Sequence, residues 1–235
     1  MNLQTAIDPA KAAAGRRAAE FVADGMIVGL GTGSTADYAI RRLAERVNME
    51  GLRMRGIATS LRTELLAKEL LIPVIDVNGV HRIDLTIDGA DEIDRSFNMI
   101  KGGGGALLRE KVVARASRLE IIVIDQAKLV DRLGARWPVP TEVVPFGWTQ
   151  AARALRELGC EPKLRGSSGH QPFQTDNGNY VLDLHFSRID DPAGLERRIN
   201  SVPGVVDCGL FIDLAHRLIV GHPDGRCDVI ERSAR

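Results

Sequence analysis

This chain has no surplus of charge of either sign. Across 235 residues, Lys plus Arg and Asp plus Glu each number 31. A nucleic-acid binder needs a basic footprint, and none is present, so no nucleic-acid partner is expected. No apolar run reaches the length of a membrane span, so no membrane partner is expected either. The first residues lack the charged, then apolar, then small pattern of a secretory signal. Cysteine is scarce. Cys160, Cys208 and Cys227 are odd in number, widely spread and without metal-site spacing, as expected for free thiols in a reducing cytoplasm. His170, His185, His216 and His222 also fall at unrelated spacings, so no metal is expected. With 44% apolar and 26% charged residues, what remains is an ordinary globular chain with room for a large core.

Its chemistry-bearing residues concentrate between Asp88 and Lys111, in DGADEIDRSFNMIKGGGGALLREK. An apolar run, Ile83 to Ile87, leads into Asp88, and carboxylates at the C-terminal end of a strand sit where open α/β sheets bind ligands. Asp88 and Asp91, three apart through Gly89, are able to face one crevice. Glu92 and Asp94 have the bland alternative of forming turns. Gly102 to Gly105 precede a helical segment, and four glycines in succession suggest the close approach of a ligand or another backbone. In that helix Leu108, Val112, Ala116 and Leu119 make an apolar stripe. At about 100° per residue Glu110 lies opposite it, pointing away from the helix's own core contact.

A second glycine-rich turn, Gly29-Leu-Gly-Thr-Gly-Ser-Thr35, follows the apolar run Met26 to Leu30 and opens a helix to Val47. Strand, glycine turn and helix start form an anion cradle, with Ser34 and Thr35 as extra donors. A dinucleotide fingerprint is excluded, because Ser34 stands at the third glycine position and no acid follows the next strand, which ends Ile57-Ala-Thr-Ser60. No Walker lysine is present, so a nucleotide-dependent oxidoreductase or kinase is disfavoured. Phosphate binding survives.

Alternation continues with a strand over 52–59, a helix over 61–70, strands over 72–77 and 83–88, a helix to Arg118 and a strand over 119–125. Repeated βα units predict an α/β fold with a mostly parallel sheet and helices on both faces. Lys128 falls just past the last strand, on the ligand-binding edge. Composition changes near Trp137-Pro-Val-Pro140. Beyond it come a short extended link over 141–144, a helix over 149–158, a strand around Lys163 to Arg165, a loop over 166–170, an alternating strand over 180–186 and a helix from Asp191-Pro192. This pattern predicts a smaller α+β domain over 136–205, with 1–135 and 206–235 as the main domain. The strand-like segments 205–212 and 218–220 are expected to return to the main sheet or its edge.

The segments GLGTGST (29–35), DGADEID (88–94) and KGGGGALLREK (101–111), in that order, resemble ribose-5-phosphate isomerase of the A type. GIATS (56–60), TDNGNY (175–180), PGVV (203–206) and GLF (209–211) extend the likeness over most of the chain. Arg16-Arg17 depart from it in the N-terminal helix. The resemblance implies a Rossmann-like domain with an inserted α+β domain, and interconversion of D-ribose 5-phosphate and D-ribulose 5-phosphate through an enediol(ate), without a metal or other cofactor. It implies a phosphosugar as partner, a cytoplasmic location, and a homodimer or dimer of dimers. Glu110 is then the base that moves the proton between C1 and C2, with Lys101 and glycine N–H groups facing the developing oxyanion. Thr32, Gly33, Ser34 and Thr35, then Asp88, Gly89, Ala90 and Asp91, then Lys101, Gly102, Gly103 and Gly104, with Lys128, are the implied substrate contacts. Lys11 matches loosely a phosphate-reaching lysine. Either Asp88 or Asp91 is expected to help open the sugar ring. A phosphosugar-sensing effector domain of a transcription regulator is the alternative, but the chain has no basic helix-turn-helix and it retains Glu110.

Overall fold

The alternation of apolar runs and glycine turns becomes three sheets and six α-helices in a computed structural model that describes residues 7–166 and 171–232. The loop expected over 166–170 falls largely outside the described residues. In chain order the first elements are α1 (Pro9–Ala19), β1 (Ile27–Leu30), α2 (Ser34–Met49), β2 (Arg55–Ala58), α3 (Leu61–Glu69), β3 (Leu85–Asp88), β4 (Glu92–Ile93), β5 (Met99–Ile100), α4 (Leu107–Ala116) and β6 (Glu120–Asp125). Then come β7 (Val139–Val143), α5 (Trp148–Arg156), β8 (Cys160–Leu164), β9 (Tyr180–Phe186), α6 (Pro192–Asn200), β10 (Val205–Cys208), β11 (Leu210–Phe211), β12 (Arg217–Gly221) and β13 (Cys227–Glu231).

The main sheet runs β13-β12-β6-β3-β1-β2. It is parallel except where β13 turns back on β12. Side chains alternate across it. Ile121 and Val123 of β6 pack with α1 and α2 on one face, while Ile122 and Ile124 pack with Leu107 and Ala114 of α4 on the other. From β1 the chain steps outward to β2, then crosses back to β3 on the other side of β1. The strand order therefore reverses between β1 and β3, where open α/β sheets leave a crevice at the strands' C-terminal ends. Both glycine turns and Asp88 converge there.

The second sheet is antiparallel, β10-β7-β9-β8, with α5 and α6 packed on it through Ala151, Leu155, Leu195 and Ile199. Residues 141–144, expected as a link, fall mostly within β7, an interior strand that is buried throughout. Val205–Cys208, expected at the main sheet, pairs with β7 instead. Leu210–Phe211 pairs with β5 in a three-stranded ribbon, β11-β5-β4. The strand expected over 72–77 shrinks to one bridge, Gly56 to Val74.

Helix α4 corrects a reading of orientation. Glu110 does lie opposite the stripe of Leu108 and Val112, but the stripe is the outer side. Val112 is 48% exposed, whereas Leu107, Glu110, Lys111, Val113 and Ala114 are buried. Leu108 and Val112 line an outer cavity of about 580 Å³ with Ile57 and Val74. Periodicity reports that a helix has two faces and leaves open which one meets the sheet.

Candidate active site

Each glycine turn sits where it does for a local reason. An added Cβ at Gly31 would fall 2.3 Å from Asp88 Oδ1, so β1 and β3 approach this closely only with glycine there. Gly33 has φ +127°, a conformation other residues rarely adopt, and it starts α2 with no side-chain cap. The first N–H groups of α2 are left for a ligand, at the positive end of its dipole. Behind the turn, Thr32 Oγ1 meets the hydroxyls of Thr59 (2.8 Å), Ser60 (2.8 Å) and Thr63 (3.1 Å). That cluster fixes the turn to the N-terminus of α3. The GIATS motif held Thr59 and Ser60, but nothing local in the sequence tied them to Thr32.

These elements enclose a cavity of about 150 Å³ lined by Lys11, Thr32, Gly33, Ser34, Thr35, Gly89, Ala90, Asp91, Lys101, Gly102, Gly103, Gly104, Glu110 and Lys128. All the sequence-predicted contacts are there but Asp88, and the loosely matched Lys11 joins them. Asp88 is fully buried behind the wall. Its Oδ1 accepts from the N–H of Thr32 (3.0 Å) and of Gly89 (2.7 Å), and its Oδ2 lies 3.0 Å from Lys101 Nζ. Asp91 faces the cavity and accepts the Gly103 N–H at 2.7 Å. Lys128 Nζ lies over the Trp137 ring at 4.9 Å. Glu92 and Asp94 are spent on backbone. Glu92 accepts from the N–H groups of Gly134, Arg136 and Trp137, and Asp94 from those of Ser96 and Asn98.

At the cavity floor, Lys101 Nζ donates to Gly89 O (2.5 Å) and lies 3.3 Å from Glu110 Oε2. Lys101 is 2% exposed and Glu110 4%. Burial works against the lysine's charge, but Asp88 and then Glu110 outweigh it and hold its pKa above the usual value. Burial pushes the Glu110 carboxyl up to about 8, opposed by Lys101 and assisted by Asp88 and Asp91. A carboxyl raised toward neutrality and open to a cavity is suited to accept and return a proton. Underneath, Glu120 at the start of β6 is fully buried, and neither carboxyl oxygen has a hydrogen-bond partner. Burial, then Asp88, raises its pKa well above the ordinary range, which favours the neutral form. No local pattern marks it, since a glutamate at a strand start reads as solvated. Among the described residues, no group of three or more His, Cys, Asp or Glu side chains is placed to hold a metal ion.

The profile of ribose 5-phosphate isomerase A (phosphoriboisomerase A) matches residues 55–225. The chain belongs to the ribose 5-phosphate isomerase A family. A relative named ribose-5-phosphate isomerase A, from Thermomicrobium roseum, is 54% identical over 225 residues, covering 95% of this chain and 94% of its own. Among solved structures, the ribose 5-phosphate isomerase of Plasmodium falciparum superposes with a TM-score of 0.93 at 38% identity, over 97% of this chain and 100% of its own. A D-ribose-5-phosphate isomerase in complex with phospho-erythronic acid gives 0.91 at 40% identity, over 94% and 97%. Family membership fits the mostly parallel sheet and the smaller antiparallel one. Among the described residues, no helix of this family member is long and apolar enough to cross a membrane.

Proposed function

We propose that this chain is an aldose–ketose isomerase that interconverts D-ribose 5-phosphate and D-ribulose 5-phosphate, with Glu110 as the proton carrier. The observation that carries the reading is the pair at the cavity floor, a buried carboxyl poised near neutrality 3.3 Å from a buried ammonium. In the open-chain aldose, ionised Glu110 removes the C2 proton. The C–H electron pair becomes the C1–C2 double bond, and the carbonyl electrons move onto O1. Lys101 and glycine N–H groups face that oxyanion, fixed before the reaction begins. Glu110 then returns its proton to C1 while the O2 proton passes to O1, leaving the carbonyl at C2. No oxidant or reductant enters.

Burial supports one assignment of the two aspartates. Asp91, which faces the cavity, moves protons between oxygens and assists ring opening, whereas Asp88 holds Lys101 and the Thr32 turn in place. The phosphate takes the turn at Gly33 to Thr35, within reach of Lys11 and Lys128, and supplies binding energy remote from the reacting carbons. Segment 1–135 carries this chemistry within a main domain completed by 206–235, whose first residues lend a strand to the second sheet; 136–205 buttresses it, and a cytoplasmic homodimer is the proposed assembly. The test is Glu110→Gln with ribose 5-phosphate. Turnover should fall by about 10³-fold or more with KM little changed. A variant that still makes ketose at the wild-type rate would remove Glu110 from the role.

A further inference from the structure

Arg165 follows β8, on the antiparallel sheet, and does not line the cavity. Its side chain is 16% exposed and is gripped by Asp183 of β9, which accepts from Nε at 2.9 Å and from Nη2. The guanidinium lies 5.8 Å from the centre of the Phe173 ring. Its remaining nitrogen, Nη1, donates to two carbonyls of the glycine run, Gly102 O at 3.0 Å and Gly103 O at 3.1 Å.

In a trans peptide the C=O and the following N–H point in opposite directions. A carbonyl turned outward to Arg165 therefore turns its partner N–H inward. The Gly102–Gly103 peptide displays this directly, since Gly102 O meets Arg165 and the Gly103 N–H donates to cavity-facing Asp91 at 2.7 Å. By the same geometry the Gly104 N–H is aimed away from Arg165, toward the cavity that Gly104 lines. The Gly105 N–H is already taken by Gly102 O at 2.9 Å. Consecutive glycines have no side chains to hold such an arrangement and lose the most freedom on ordering. A charged donor on the two carbonyls fixes the planes and polarises the opposite N–H groups.

We propose that Arg165, clamped by Asp183, is a positioning residue that sets the Gly103 amide on Asp91 and the Gly104 amide on the reacting oxygen of the substrate. The proposal rests on the isomerase reading above. It predicts that Arg165→Met lowers kcat by about 10- to 100-fold with KM changed less than about threefold, since the contact matters most when charge develops. Inhibition by phospho-erythronic acid, whose carboxylate places charge where the enediolate would, should weaken roughly in step with kcat. Inhibition by inorganic phosphate, a probe of the turn at Gly33 to Thr35, should stay within about twofold. In Arg165→Ala, added methylguanidinium should restore part of the lost kcat, which a purely structural role would not allow. Should Arg165→Met fail to fold, Asp183→Asn, which keeps the guanidinium and weakens only its clamp, carries the same measurements with a smaller loss. Wild-type-like kcat in the variants overturns the proposal, as does a loss shared equally by inorganic phosphate. If the wild-type protein itself makes no ketose, the isomerase reading fails first and takes this one with it.

Discussion

Removing the ammonium beside Glu110 should move the pH at which the enzyme switches on. With the carboxyl at about 8, the wild-type kcat/KM should climb with pH and level above that value. At pH 7 roughly one-tenth of the carboxyl is ionised. Lys101→Met deletes a charge 3.3 Å from Glu110 Oε2. At an effective dielectric constant of about 20 that contact is worth about 5 kcal/mol, or between three and four pKa units. Asp88 would lose its counter-ion and push Glu110 further upward, while water entering the vacated space would take part of the shift back. The limb should therefore rise by at least about one unit, and its plateau should fall by about 10²-fold for want of the electrophile. The assay is ketose formation between pH 5.5 and 9.5 or so, with the melting curve of each protein followed alongside. The substrate's own phosphate ionises near 6 or so and contributes equally to both profiles, so their difference isolates the carboxyl. A limb at or below the wild-type position would refute the charge balance argued for the cavity floor.

Two further perturbations test the framework. Glu120 has a folded pKa above its unfolded one, so the native state keeps a proton that the unfolded chain releases. Stability is therefore full below the unfolded value of about 4.3 and is lost as pH rises toward the folded value. Glu120→Gln, which cannot ionise, should lose less Tm than wild type between pH 5 and pH 8 or so, and parallel slopes would contradict the assignment. Gly31→Ala places a Cβ 2.5 Å from Asp88 Cα. It should cost about 1–3 kcal/mol in urea unfolding, and an unchanged midpoint would deny the close approach of β1 and β3.

Much of the cavity was legible because its parts are local. Gly31 and Gly33 are required by a turn between adjacent elements, and Asp88 ends a strand whose apolar run announces it. The parts supplied across the fold left no such trace. Arg165 reaches Gly102 from a sheet far along the chain, and a lone arginine after a short strand has no pattern to distinguish it. The same holds for Glu142, whose Oε1 gathers the side chains of Thr175, Asn177 and Asn179. That loop in turn accepts the Arg109 guanidinium, next to Glu110, through Asn177 Oδ1 at 3.0 Å. The orientation of α4 differs from the one its periodicity predicts for a related reason. Both of its faces are covered or grooved, and the apolar stripe took the face that a buried glutamate and a buried lysine would ordinarily have occupied. Lys111 is tolerated inside because Glu196, Asp207 and the Cys208 carbonyl surround its Nζ at 2.7 to 3.1 Å.

Burial alone would leave Glu110 a protonated acid, unable to start the reaction. A lysine alone would make it an ordinary carboxylate, too weak a base to take a proton from carbon. Together they hold it between these limits, with Asp88 offsetting the charge of Lys101. Before proton abstraction in the proposed reaction the floor carries Lys101 positive, Asp88 negative and Glu110 negative. Afterwards Glu110 is neutral and the negative charge sits on the sugar oxygen. The step moves one negative charge past a fixed ammonium rather than creating one, so the net charge of a water-poor site does not change and little must reorganise around it. This places a demand on the glycine run as well. Its N–H groups must already point at the oxygen when the charge arrives, and glycines hold such a pose only when something outside the cavity holds their carbonyls.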